Sequence, residues 1–272
     1  MAMAISELER LCAEQGVTLP VLRQAATALD GAPVYVGELD GTDAFRLWSD
    51  LRALHPRSGW WPVLAGKPEH LHNVFVGLEP GFAPAEERTE DGPPDRRPLD
   101  GRALLAERAG ETEWYPRGAD DRLPADDAPF AAPVQRLAAH VAAEVDLDLV
   151  GGTHISALRQ ERTVLCLVRA RHGYDVPALL DWPGACNYGM EGIEHQAVLR
   201  YFHERYGAEL VTLEDSVLEV LVTRRPRTPE AVALAALEQY AYCPDIVDQG
   251  VGSVEDLVAS QLLCLSWYFW WD

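Results

Sequence analysis

Lysine is nearly missing from this sequence: Lys67 is the only one, and every other basic residue is arginine. Any Schiff-base or phosphate-cradling lysine would have to be Lys67. It stands in AGKPEH with Pro68 behind it, so no G-x-x-x-x-G-K-S/T phosphate loop exists. Regular β-α-β-α alternation with glycine-rich turns is also absent, which disfavours a dinucleotide fold. The five cysteines, Cys12, Cys166, Cys186, Cys243 and Cys264, are scattered, odd in number and form no C-x-x-C pair. They read as reduced thiols of a cytoplasmic protein, not as a disulfide frame. The first residues lack a charged stretch followed by an apolar run, so no secretory leader is expected. No apolar run approaches the roughly 18 residues of a membrane span.

Positive charge is scarce as a whole. There are 43 Asp and Glu against 23 Lys and Arg, a formal net charge of −20. That disfavours binding to a nucleic-acid backbone, which needs clustered cations. It permits electrostatic steering of a basic protein partner. The 272 residues suffice for one large domain or two ordinary ones, and 48% hydrophobic content supports a core.

Apolar spacing predicts a helix near residues 4–15, ended by Gly16, and a weaker helix after Pro20. APVYVGELDG reads as a strand with a turn at Asp40-Gly41. Thr42 or Asp43 would cap a helix carrying Ala44, Leu47, Trp48, Leu51 and Leu54. GWWPVLAG reads as a short strand and HNVFVGLEP as a third. Residues 79–133 hold nine of the 19 prolines, with acidic and glycine-rich runs. Such a segment buries too little apolar surface to offset ordering its backbone, and it is expected to be a mobile linker or surface excursion. A helical turn or two around Leu99–Arg108 interrupts it, and helical spacing resumes at 134–145.

The later part is clearer. RTVLCLVRA is strand-like. IEHQAVLRYFHERYG is a helix stopped by Gly207. AELVTLED and SVLEVLVTR are two strands. Thr228 caps a helix begun by Pro229 and ended before Pro244. Ser253 and Asp256 form a capping box. The fold class is therefore α+β: a mixed or antiparallel sheet with packed helices in residues 134–272, and a smaller α/β region in residues 1–78.

EHQAVLRYFHERYGAELV, EAVALAALEQYAYCPDIVDQG and WYFWWD together resemble an uncharacterised bacterial family, domain-of-unknown-function family 4253, over roughly residues 160–272. GWWPVLAG and its surroundings look like what often precedes that domain in actinobacterial members. The resemblance implies a domain boundary and a bacterial, cytosolic setting. It brings no catalytic residues with it.

Candidate chemistry is sparse. His195 and His203 are eight residues apart on one helix, about 12 Å of rise, and cannot share an ion. HERYG fails H-E-x-x-H at Gly207. His70 and His72 would share one face of a strand but lack a second pair. No metal and no cofactor is therefore expected. Cys186, in the glycine-flanked loop DWPGACNYG, precedes His195 at the start of a helix; a thiol there could be activated, or could simply fill a tight turn. Asp245 and Asp248 could act as acid and base, or could satisfy backbone groups where a helix stops. Trp60, Trp61, Trp182, Asn187 and Gln249 are candidate binding residues. Trp267, Phe269 and Trp271 alternate with Tyr268 and Trp270, which predicts a central strand covered on both faces. The alternative is an aromatic surface shared with Trp60 and Trp61.

The leading expectation is a cytosolic bacterial binding protein, of immunity or inhibitor type, directed at a basic partner. The alternative is a hydrolase or transferase using Cys186 and His195 or the Asp245/Asp248 cluster.

Overall fold

The computed structural model describes residues 3–79, 99–110 and 128–272. The expected mobile linker therefore lies largely outside the described residues. Helix α1 (Ile5–Glu14) forms where Leu8, Leu11 and Cys12 recur on one buried face. The Glu7 carboxylate accepts the Ala4 N–H at 2.8 Å, and Gly16, at φ 72°, ends the turn.

The segment after Pro20 corrects the sequence reading. It is not a helix but strand β1 (Arg23–Thr27), antiparallel to β2 (Pro33–Asp40) with a register shift between Gln24 and Ala26. Ala25 and Ala26 favour a helix locally, yet pairing satisfies the backbone groups along one edge of β2, and that wins.

Helix α2 (Gly41–Ser58) buries Leu47, Trp48, Leu51 and Leu54 as expected, but its N-cap is Asp40, not Thr42 or Asp43. Strand β3 (Trp60–Leu64) is buried throughout. HNVFVGLEP is the second correction: it forms short helix α3 (Leu71–Phe75) between single turns at 68–70 and 76–78. Gly77 explains the tight course of this segment. A Cβ there would meet the Asp181 carbonyl oxygen at 1.8 Å. Gly77→Ala is expected to lower stability by ~1–3 kcal/mol through backbone displacement. A urea unfolding midpoint equal to wild type would refute that.

Helix α4 (Gly101–Ala109) is the helical interruption expected near Leu99–Arg108, and Asp100 caps it by accepting the Arg102 N–H at 2.9 Å. Helix α5 (Ala128–Glu144) begins earlier than position 134 and carries Pro133 inside it. Strand β4 (Arg162–Arg169) follows, then α6 (Val176–Leu179) and α7 (Gly192–Tyr206). Next come β5 (Ala208–Leu213), β6 (Val217–Val222) and α8 (Pro229–Tyr242), where Thr228 accepts the Ala231 N–H at 3.2 Å. Helix α9 (Val254–Leu257), capped by Ser253, and strand β7 (Ser266–Trp270) complete the order.

The fold is α+β. Its seven strands are ordered β1-β2-β4-β3-β5-β6-β7; β4 runs antiparallel to β2 and β3, while β3 and β5 are parallel. The chain forms two compact, interleaved units. The first comprises described residues within Met1–Arg97, Ile155–Gln196 and Glu209–Glu219, and the second those within Pro98–His154, Ala197–Ala208 and Val220–Asp272. In the first, Leu8, Leu11, Leu47, Leu51, Trp60, Leu165 and Leu167 pack in one cluster. In the second, the core is aromatic: Phe202 lies 5.8 Å from Tyr242 and 5.8 Å from Trp267, and Tyr242 lies 4.9 Å from Phe269. No helix among the described residues is long and apolar enough to cross a membrane.

Strand β7 is the third correction. It stands last in the strand order and is not central. Trp267, Phe269 and Trp271 are buried, whereas Tyr268 is 38% exposed and Trp270 half-buried. Period-two aromatics suggested two covered faces; here the outer pair tolerates partial exposure because large rings have both apolar bodies and polar tips. Side chains occupy the edge. The Tyr268 N–H donates to Gln261 Oε1 at 2.9 Å, and the Cys243 thiol donates to the Trp270 carbonyl at 2.9 Å. An edge strand is thus blunted against further pairing.

Candidate functional site

The proposed thiol and imidazole differ in burial. Cys186 is exposed, in a single turn at Cys186–Tyr188, next to exposed Asn187. His195 is fully buried near the start of α7, its ring tilted on Trp182 at 4.8 Å. It is a core residue. Trp182 is buried as well, and its indole N–H donates to the Glu214 carbonyl at 2.7 Å. The other tryptophan candidates are also packed inside. Trp60 donates to the Met3 carbonyl at 2.9 Å and Trp61 to the Leu210 carbonyl at 3.1 Å, with the Arg52 guanidinium 4.6 Å from the Trp61 ring. Both are almost wholly buried and offer little ring surface to a ligand.

The Asp245 and Asp248 carboxylates are engaged in tying down backbone and side chains. Asp245 is buried and accepts from the Gln249 amide at 2.8 Å and from the Asp272 N–H at 2.9 Å. Asp248 accepts from the Tyr240 hydroxyl at 2.8 Å. Proline follows α8 here, and the donors that these carboxylates hold include the Gln249 amide, the Asp272 N–H and the Tyr240 hydroxyl. His70 and His72 lie on helical turns, not on a strand, and His72 sits 3.3 Å from Glu79. Among the described residues no three His, Cys, Asp or Glu side chains converge as metal ligands.

Sequence reasoning missed two buried carboxylate networks. In the first unit, Ser156 bridges Glu214 and Glu219. Its N–H donates to Glu219 at 2.9 Å, and its hydroxyl lies 2.9 Å from Glu219 Oε2 and 3.2 Å from Glu214 Oε1. One hydroxyl proton cannot serve two carboxylates. Glu214 has a second donor, the Gln160 amide, 3.2 Å from the same oxygen. Burial pushes both pKa values up; the Ser156 hydroxyl opposes this at both, and the Glu214 charge adds to it at Glu219. In the second unit, buried Glu238 accepts from the Tyr201 and Tyr206 hydroxyls, each at 2.6 Å. Glu219 and Glu238 spend both carboxylate oxygens on the protein itself. The signal for each was a glutamate inside an apolar run, VLEVLV and AALEQY.

The first unit also holds a cleft of about 300 Å³ beside β1. Strand register builds it. Arg23 pairs with Val36 and Glu38 with Val164, so these four side chains share one sheet face. Val21, Pro68, Leu71 and the almost wholly buried Val36 and Val164 are among the residues that line it.

Residues 164–272 match the model of a protein family described as Domain of unknown function (DUF4253), the family that this part of the sequence resembles. No curated protein and no solved structure matches the chain.

Proposed function

We propose that the chain is a cytoplasmic binding protein whose second unit takes up a basic protein partner, in the manner of an immunity or inhibitor protein. One observation carries this reading: an exposed apolar patch bordered by carboxylates that make no ion pair among the described residues. Leu149, Val150 and Leu265 are 58%, 56% and 39% exposed. Backbone bonds hold them side by side, from Gly151 N–H to the Leu263 carbonyl at 2.8 Å and from Leu265 N–H to the Gly152 carbonyl at 3.2 Å. Asp146 and Asp148 flank the patch, exposed, and neither makes an ion pair among the described residues. The neighbouring cation, Arg225, is occupied by the Leu149, Leu263 and Leu147 carbonyls at 2.7, 3.2 and 3.3 Å. After Arg227 the sequence contains seven Asp or Glu and no Lys, Arg or His. Apolar side chains anchor a partner, and rim charges select and steer it. The five free thiols accord with a reducing compartment.

The hydrolase or transferase alternative has less support, because Cys186 is in solvent and His195 in the core. Immobilised chain is expected to retain a basic protein from a lysate of its source organism. Release is expected as ionic strength rises from about 0.1 to 1 M, where the Debye length falls from ~10 to ~3 Å. The double change Asp146→Asn/Asp148→Asn is expected to slow association about ten-fold, and Leu149→Ser to speed dissociation. Folded Cys186→Ala, His195→Ala, Asp245→Asn and Asp248→Asn variants are expected to bind normally. If one of these four removes a cellular phenotype while partner binding survives, the chain is an enzyme.

A further inference from the structure

The geometry points to a binding site for a small phosphate dianion at the end of the first unit where β3 begins and β4 ends, independent of the partner surface on the second unit. Two short stretches, RALHPR at 52–57 and RARH at 169–172, hold four arginines, two histidines and no acid in a chain of net charge −20. The fold stitches them together. Trp60 pairs with Arg169 in the ladder. His55 Nε2, in the last turn of α2, lies 2.9 Å from the Ala170 carbonyl. Met3 closes the seam: its N–H donates to the Ser58 carbonyl at 3.1 Å, and its carbonyl accepts from Arg169 Nη2 at 3.2 Å. Arg57 and Arg171 flank this seam, and both are exposed.

The positive charge there is not matched by carboxylates. Arg52 is ion-paired with Glu209, but Arg57, Arg169 and Arg171 make no ion pair among the described residues. Asp175, close to Arg171 in the chain, turns instead to the His172 N–H at 2.9 Å and the Gln196 amide at 2.7 Å. The carboxyl end of α2 offsets only about half a unit charge. Burial holds the His55 pKa below its usual value; the Ala170 carbonyl opposes this, and the Arg52 and His172 charges lower it further. His55 is therefore a neutral donor, and the charge of the site comes from arginine.

Three features select the ligand. A guanidinium fork matches phosphate oxygens in two parallel N–H···O bonds, and two exposed forks flank the seam. Attraction scales with the product of the charges, so a dianion gains about twice what a carboxylate does. The rest of the chain, at −20, limits size. An extended polyanion would meet that field, whereas a small ion lies within the ~10 Å over which the arginines act at about 0.1 M salt. Such chemistry is offered by inorganic phosphate or by phosphate on a small organic group. For the latter, half-buried Tyr174, stacked on His172 at 4.6 Å, supplies a ring close to Arg171 in the chain.

The test is a titration of the 15N-labelled full chain with phenyl phosphate at about pH 7.5, where the ester is mostly dianionic, and at a constant ionic strength of about 0.1 M. Saturable shifts are expected at the Arg57 and Arg171 Nε–H signals and at the Gly59 and Ala170 amides, with a dissociation constant on the order of 1 mM or below. Arg57→Gln and Arg171→Gln are each expected to weaken binding at least about five-fold. Arg171→Lys is expected to fall between, because a point charge replaces the fork. Acetate is expected to bind at least about ten-fold more weakly. Arg46→Gln removes an exposed arginine of α2 that is paired with Asp43 at 3.0 Å, and it is expected to bind as wild type does. Inorganic phosphate binding as tightly as phenyl phosphate assigns the site to the free ion; weaker binding assigns it to an organic phosphate. Amide shifts away from the patch must match wild type in each variant, which separates a lost contact from a lost fold. The proposal is overturned if no saturable shift occurs by ~20 mM, if acetate binds as tightly as phenyl phosphate, or if Arg57→Gln/Arg171→Gln binds no more weakly than Arg46→Gln. None of these outcomes depends on the basic partner, whose test uses the Asp146, Asp148 and Leu149 variants.

Discussion

A chain lacking residues 267–272 is expected not to unfold cooperatively at all. Trp267, Phe269 and Trp271 enter the aromatic core of the second unit, where each is essentially buried. Tyr206 meets Trp267 at 5.0 Å, and Tyr242 meets Phe269 and Trp271 at 4.9 and 5.2 Å, all edge to face. Each such side chain removes ~150–250 Å² from water, worth ~4–6 kcal/mol at ~25 cal/mol per Å² as an upper bound. Three together match or exceed the whole stability of an ordinary domain, ~5–15 kcal/mol. The deletion also removes the Asp272 N–H that Asp245 binds. Near-ultraviolet circular dichroism should lose its fine structure, and the thermal transition should vanish. Phe269→Ala is the milder form, expected to cost ~3–5 kcal/mol. A truncated chain that melts where wild type melts would mean that the aromatic cluster is not what holds this unit together.

That role of β7 shows what was legible and what was not. Burial of its aromatics was the leading reading of their alternation, with an aromatic surface shared with Trp60 and Trp61 as the alternative, and three of the five are buried. Its position at the end of the strand order could not be read, since period two does not report which strands lie alongside. The same limit hid β1. Ala25 and Ala26 favour a helix, and only the partner strand, far from any local signal, makes the segment extended. Helices with a clean apolar stripe, α1, α2 and α7, were legible to within a few residues, since periodicity and a stopping glycine are both local. Candidate chemistry was legible least. Cys186 and His195 are close in sequence and divided by burial. Ser156 joins Glu214 and Glu219 across more than fifty positions, and Arg23 meets Val36 only through register. The buried glutamates left one trace, an acid in an apolar run, and its meaning depended on donors supplied by other elements.

Glu238 is where such a trace should have the largest measurable consequence. Helix α8 carries it into the core of the second unit, where the Tyr201 and Tyr206 hydroxyls donate to it and Arg205 Nε bonds the Tyr206 oxygen at 2.9 Å. Burial raises its pKa; the two tyrosine hydrogen bonds and the Arg205 and Arg102 charges oppose that without cancelling it. Burial also raises both phenols, and the Glu238 charge adds to it, so they remain donors throughout the working range. A carboxyl that holds its proton more tightly when folded stabilises the fold below its unfolded pKa, about 4.3, and loses that contribution as pH rises through the folded value. Glu238→Gln cannot ionise, so its stability relative to wild type is expected to improve from about pH 4 to about pH 8. Tyr201→Phe/Tyr206→Phe is expected to move the other way. It strips both donors from a buried acid and should cost ~3–5 kcal/mol at about pH 8, but less near pH 4, where the carboxyl is neutral. Adding Glu238→Gln to the double variant should recover the part of that loss due to charge. Glu214 and Glu219 shift in the same direction. The comparison therefore rests on differences between variants and not on the wild-type profile alone. Urea midpoints at three pH values decide it. Parallel profiles for wild type and Glu238→Gln would show that Glu238 binds its proton no more tightly in the folded chain than in the unfolded one.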